Sequence, residues 1–243
     1  MRKRGILILA GLVLMATVSG ALWSQTAQDV LKKMIEVGGG RETLAAIKDS
    51  TMTGTMEMIQ MGFNGSITMY QKEPNLLRMD IEVMGMLITQ AYDGEKGWWI
   101  NPQTGAAEEM QENQSQELKR QAYGNDSLLN PEKFGISYEL KGTEKADDKD
   151  CIVLEQTFKD GNKNTILLDS ATYLPYKTRA KTLNQMGAEV QSETTLSDYK
   201  PVNGIPVPNS MTIKQDGQEF MKMTITKVSY NSGLEDSFFK MTK

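Results

Sequence analysis

The residues that could do chemistry in this chain are few, and their spacing argues against catalysis. No histidine occurs in the 243 residues, which removes the commonest general base, the commonest metal ligand and every Ser–His pairing. The one cysteine, Cys151, is followed by Ile152-Val153-Leu154, the company of a strand thiol that packs. A lone cysteine also excludes a disulfide framework and a cysteine-based metal site. Asp147, Asp148 and Asp150 crowd into "ADDKD", but that segment lacks the spacing and distal glutamate of a calcium loop and suits a solvated hairpin turn. Asp80 and Glu82 share a strand face as two glycosidase carboxylates might, yet they alternate with apolar residues and so belong on a wet face. Gly38-Gly39-Gly40 is followed by no Lys-Ser/Thr pair, and GxSxG and GxGxxG are absent. The sequence points to a binding protein with no catalytic residue, no metal and no cofactor.

Two features remain once chemistry is set aside. Trp98 and Trp99 stand side by side in "YDGEKGWWINPQTG", between a glycine-rich turn and Asn101-Pro102. Methionine is abundant: 15 of 17 lie beyond residue 21. Its flexible, polarizable side chain suits surfaces that accept ligands of varying shape.

The elements that must position these residues follow from periodicity. Thr26 to Val37 predicts a helix, with Val30, Leu31, Met34 and Ile35 on one stripe and Thr26 with Asp29 as a capping pair. The three glycines end it, and Glu42 to Ile47 predicts a second short helix. From Thr51 the period becomes two. "TMTGTMEM" sets Met52, Met56 and Met58 on one face, and "LLRMDIEV" sets Leu77, Met79, Ile81 and Val83 on one face. Asn64-Gly65 and Asp93-Gly94 are turn signals of an antiparallel meander. Residues 106–123 favour helix but carry only a thin stripe through Met110, Leu118 and Ala122, which predicts a covering lid helix. Seven further strands are expected between 136 and 230, punctuated by Asp160-Gly161, Asn203-Gly204 and Asp216-Gly217. With no βαβ rhythm, the fold class is mainly β (α+β): a single curled antiparallel sheet forming an incomplete barrel, covered by a few helices. Adjacent strand residues face opposite ways, so one indole of the Trp pair points into the covered face and the other away.

The N-terminus predicts export. Arg2-Lys3-Arg4 precede an apolar, uncharged run from Gly5 to Val18, and small residues end at Ala21. This is the pattern of a secretory signal peptide, residues 1–21, cleaved near Ala21; an uncleaved anchor is the rival reading. No cysteine follows the run, so a lipid-modified N-terminus is not expected. Removing the head leaves 24 basic against 31 acidic residues, a net charge of −7, which argues against nucleic acid and against capture by anionic lipid. Residues 22–243 show no composition break and are read as one domain.

Gln71 to Met110 resembles the core segment of the bacterial periplasmic lipoprotein localization factors, the LolA-like outer-membrane lipoprotein-sorting family. The motifs are Lys72-Glu73-Pro74-Asn75 opening a strand, Leu76 to Val83, Asp93-Gly94 with Trp98, and Asn101-Pro102. Later stretches, "LDSATYLPYKTRAK" and "SDYKPVNGIPVPNSMTI", are similar to the broader family, so the resemblance covers about residues 27 to 241. It implies a half-barrel with an apolar cavity for acyl chains, and a carrier that shields lipoproteins or other lipids and passes them between envelope components. The alternative is a sensor that detects lipid or mislocalised lipoprotein and signals to a membrane partner. Expected partners are acyl chains and an inner- or outer-membrane docking protein, with the chain monomeric. In the dedicated carriers a basic residue before the strand-opening proline hydrogen-bonds the covering helices; here that residue is Glu73. The candidate cavity wall is Met52, Met56, Met58, Leu77, Met79, Ile81, Val83, Trp98 and Trp99.

Overall fold

The computed structural model describes residues 25–184 and 187–241; the expected signal peptide lies outside the described residues. Helix α1 (Ala27–Val37) opens at Thr26, whose hydroxyl accepts the Asp29 N–H while the Asp29 carboxylate accepts the Thr26 N–H. This is the capping box expected from the sequence. Gly39 and Gly40, at φ 119° and 84°, turn the chain into α2 (Arg41–Ala46). An antiparallel meander follows: β1 (Asp49–Met58), β2 (Phe63–Lys72), β3 (Leu76–Val83), β4 (Met86–Tyr92), β5 (Gly97–Ile100) and β6 (Ala107–Glu109). Then come α3 (Glu112–Ala122), α4 (Asn125–Leu129) and a 3-10 turn, Pro131–Phe134. The second run is β7 (Ser137–Ala146), β8 (Lys149–Thr157), β9 (Lys163–Asp169), β10 (Pro175–Leu183), β11 (Glu189–Val202), β12 (Ile205–Gln215) and β13 (Gln218–Tyr230), and a 3-10 turn, Asp236–Phe239, comes last.

All these strands join one 13-stranded antiparallel sheet in the order β6-β5-β4-β3-β2-β1-β13-β12-β11-β10-β9-β8-β7. The sheet is not closed into a barrel, since β6 and β7 are free edges. It does curl. Helix α3 packs against β3, β4 and β5 and also against β10. Strands β5 and β10 are eight steps apart, about 38 Å in a flat sheet at ~4.8 Å per step. With 11 residues, α3 is only about 16 Å long. One short helix reaches both strands only because the sheet wraps towards it.

Two local expectations are corrected. Of residues 106–123, only 112–122 are helical. Ala107–Glu109 instead pair with Trp98–Ile100 as an edge strand, because the ladder satisfies β5 backbone groups that helix propensity would leave bare. Asn64-Gly65 is not a turn. The chain reverses at residues 59–62, with Gly62 at φ 66°. Gly65 lies inside β2, where an added Cβ would collide with the Glu82 carbonyl of β3. Close backbone approach, not chain reversal, is its role.

Candidate functional site

Register fixes which side chains share a face. Across β5, β4, β3, β2, β1 and β13, the row Trp99, Gln90, Met79, Met69, Met52 and Val228 runs on one side of the sheet. A parallel row, Met56, Met223 and Met211, crosses β1, β13 and β12, and Met58, Met221 and Ile213 form the next. Met56, Met58, Ile67, Met223 and Ile225 are buried in one cluster, packed by half-buried Met52, Met69, Ile81, Met211 and Met221. Every member of this cluster belongs to the sheet; none belongs to a helix. The result is an apolar floor built of seven methionines.

The helices lie on the same side and divide the rest of that face. Val30 and Met34 of α1 pack on Ile152, Leu154 and Leu168. Ile35 of α1, Leu44 of α2 and Leu129 of α4 pack on Ile205 and Val207, against Met52 and Val228. Leu118 and Ala122 of α3 bury Leu77 and Tyr92, with Met79 and Met110 alongside; burial pushes the Tyr92 phenol up to about 12, so it stays neutral. The lid residues Met110, Leu118 and Ala122 therefore face the sheet, although Met110 precedes α3. Leu77 sits beneath α3. Met52, Met56, Met58 and Ile81 are in the floor cluster, Met79 bridges floor and α3, and Val83 pairs with Gly65 at the floor's end.

Polar contacts hold the cover down, among them those of Gln71 with the Ala122 carbonyl and of the Gly97 N–H with the Ser115 hydroxyl, and those of Glu73, Glu117 and Arg120. Glu73 accepts N–H bonds from Asn125 (2.6 Å) and Asp126 (3.2 Å) at the start of α4. Burial nevertheless pushes its carboxyl up, outweighing those two bonds. Glu117 of α3 accepts the Leu183 N–H of β10 at 2.8 Å, and burial pushes this carboxyl up as well. Arg120 of α3 pairs with Asp160 in the β8–β9 turn at 2.5 Å. Helix α3 thus ties the two halves of the open sheet together. Beside Glu73 a cleft of about 170 Å³ is lined by Leu44, Ile47, Met52, Gln71 and Tyr230 among others. Its lining brings Leu44 of α2 and Asn125 of α4 together with Met52 of the floor.

The tryptophan pair separates. Trp99 shares the face of Gln90 and Met79. Trp98 lies on the opposite face, buried, with its indole N–H donating to the Phe239 carbonyl at 2.8 Å. There the C-terminal segment crosses β1, β2 and β3. The buried Asp49 carboxylate accepts from Ser232, Gly233 and Leu234, Lys72 pairs with Asp236, and Arg78 lies 4.4 Å from the Phe238 ring centre. Trp98 is a structural anchor for this strap and leaves the candidate wall.

Sequence reasoning also missed residues. Ile67, Met69, Met211, Met221, Met223 and Ile225 complete the floor; "FMKMTI" carried the same period-two signal as "TMTGTMEM". The Glu117 and Arg120 contacts had no local signal.

Among the described residues no group of three His, Cys, Asp or Glu side chains is placed to hold a metal ion. Cys151 is buried, and burial pushes its thiol up. A second cleft, about 270 Å³, is lined by Arg179, Glu193 and Lys214 among others. Arg179 already donates to Glu144 and Glu193, so its guanidinium is committed within the sheet.

A family model described only as an uncharacterized protein matches residues 79–243. Among solved structures, the chain is similar to a DUF1329 family protein from Desulfovibrio piger, with 16% identity, a TM-score of 0.61, and coverage of 88% of this chain and 97% of that one. A putative outer membrane lipoprotein-sorting protein domain from Vibrio parahaemolyticus gives 16% identity and a TM-score of 0.60, over 88% and 97% of the two chains. A LolA superfamily protein from Nitrosomonas europaea gives 15% identity and a TM-score of 0.58, over 89% and 98%. At such identities the likeness is one of fold. No curated protein matches the sequence.

Proposed function

We propose that the chain, which shares its fold with a LolA superfamily protein and an outer membrane lipoprotein-sorting domain, is a periplasmic carrier of lipoprotein acyl chains or other lipids, without catalysis. The observation that carries this reading is the methionine floor. It is an apolar face formed by the sheet alone, flanked by helices that are held down by a few polar contacts. Each methylene moved out of water contributes roughly 0.8 kcal/mol, so an acyl chain needs such a face to cross an aqueous compartment. Methionine side chains re-pack around chains of no fixed shape. Raising α3 and α4 would extend the floor onto Leu77 and Val207. The expected signal peptide supplies the route to the periplasm. A sensor of lipid would use the same floor, and no specific observation favours it.

Native mass spectrometry and lipid extraction of protein purified from its own envelope test the reading. Stoichiometric acylated cargo is the expected result. Protein that is consistently empty, and that takes up no acyl fluorophore in solution, would sink it.

A further inference from the structure

Five large apolar side chains stand exposed among the described residues, all at the tips of two hairpins: Met61 (41%) and Phe63 (37%) at the β1–β2 turn, Met84 (66%), Met86 (51%) and Leu87 (54%) at the β3–β4 turn. Met58 pairs with both Phe63 and Met221, and Gly65 pairs with Val83. Both tips therefore emerge side by side at one end of the sheet, directly beyond the floor. No charged residue occurs from Met58 to Gln71 or from Val83 to Tyr92.

The β3–β4 turn departs from the rule this chain follows elsewhere. Three hairpins use the same two-residue turn with both φ positive: Asn203-Gly204 (51°, 81°), Asp216-Gly217 (47°, 81°) and Met84-Gly85 (53°, 76°). The first residue of such a turn favours Asn, Asp or Gly, because a larger side chain is strained at positive φ. Two turns obey this. The third places a methionine there, two-thirds exposed, where turn chemistry gives no reason for it and burial gives none either.

We propose that these two hairpin tips are a membrane-contact surface that inserts shallowly into a neutral lipid bilayer and sets the end of the floor against it. A bilayer accepts separate protruding apolar side chains, whereas a protein partner needs one fitted surface. The tips lack charge, and their flanking residues Glu57 and Glu82 are acidic, so attraction to anionic headgroups is not the driving force. Met58 and Ile81 continue from the tips into the floor, so an acyl chain could pass from bilayer to floor without exposure to water. That last step rests on the carrier reading; the contact itself does not.

The test compares the full chain with the double variant Met84→Asn, Leu87→Thr, using vesicles of phosphatidylcholine alone or with added phosphatidylglycerol. Met84→Asn installs the residue that the Asn203 turn already uses, so the hairpin is expected to keep its fold. Peroxide oxidation of methionine, mapped by peptide mass spectrometry, reads the tips themselves whatever residues 1–24 do. Neutral vesicles should slow oxidation of Met61, Met84 and Met86 in the wild type, with little effect of salt. In the variant, protection of Met61 and Met86 should demand more lipid, by about tenfold for each apolar side chain lost. Equal oxidation with and without vesicles overturns the proposal, as does protection that requires phosphatidylglycerol. Protection without vesicles that rises with protein concentration also overturns it, in favour of a second copy. Acyl-fluorophore uptake in vesicle-free solution separates the two readings. Uptake lost in the variant would assign the tips to the cargo site and overturn the proposal. Uptake absent from both proteins, with the tips still protected by vesicles, would remove the carrier reading and leave the contact standing.

Discussion

Placing one charge in the methionine floor should separate cargo binding from folding. Met69 lies between Met52 of β1 and Met79 of β3 and is only half-buried. In Met69→Glu the carboxylate keeps access to water in the empty protein, and stability should fall by about 1–2 kcal/mol. An acyl chain laid on the floor would exclude that water. The desolvation of an unpaired carboxylate is several kcal/mol, so Kd should rise by roughly a hundredfold or more. Met69→Leu keeps volume and polarity, should cost less than about 1.5 kcal/mol in stability, and should bind nearly as wild type does. Titration with fatty acids of increasing length sharpens the comparison. Each added methylene should tighten wild-type binding by about 0.8 kcal/mol, or roughly fourfold, until the chain outgrows the floor. The glutamate variant should lose that gradient. Fluorescence titration gives Kd, and thermal unfolding monitored by circular dichroism gives stability. A glutamate variant that binds as wild type does, with the same length dependence, would falsify the assignment of the floor as the site.

Three further outcomes follow from the contacts. Trp98→Phe leaves the Phe239 carbonyl without its indole donor and should lower stability by about 1–3 kcal/mol. It should leave the ligand-induced change in Trp emission intact, because Trp99 carries that change; its disappearance would place Trp98 at the site. Glu73→Ala removes the acceptor at the start of α4 and should cost about 1 kcal/mol locally, seen as faster amide exchange at Asn125 and Asp126. Because burial raises the Glu73 carboxyl above its ordinary 4.5, the docked form binds its proton more tightly than the released form. Docking of α4 should therefore strengthen as pH falls through the raised value, with the gain complete below 4.5, and the alanine variant should lose this dependence. Asp49 has the opposite sign. Burial disfavours its charge, but hydrogen bonds from Ser232, Gly233 and Leu234 prevail and hold its carboxyl below 3.8. The C-terminal strap should be fully held above that value and released as pH falls through the lower folded value, and Asp49→Asn should expose residues 231–239 to protease already at neutral pH.

Much of the fold was legible in the sequence because antiparallel strands write their buried face as a period of two. Met52, Met56 and Met58, and Leu77, Met79 and Ile81, were placed on the covered face by alternation alone, and so was the division of Trp98 from Trp99. Capping at Thr26 and the stop at Gly38 to Gly40 are local events, and local residues specify them. The second-half strands were legible from their turn residues. Where two local rules competed, sequence was a poor guide: Ala107–Glu109 has helix-forming composition but completes the ladder of β5, and Asn64-Gly65 has turn composition but sits where β2 and β3 approach too closely for a side chain.

What only the tertiary structure decided concerns contacts between residues distant in the chain. Alternation says that one tryptophan faces in; the Trp98 bond to Phe239, 141 residues away, says which. The floor joins β1 and β2 to β12 and β13, so its full width appears only when the last strand pairs with the first. The position of Glu73 was visible, but its bond to the start of α4 was not, because a helix start offers N–H groups to a carboxylate where a helix end would offer carbonyls to a base. Spacing of two or of three and four is a property of the backbone and can be read one segment at a time. Which faces meet is settled by the joint packing of all the segments, and no single segment carries that information.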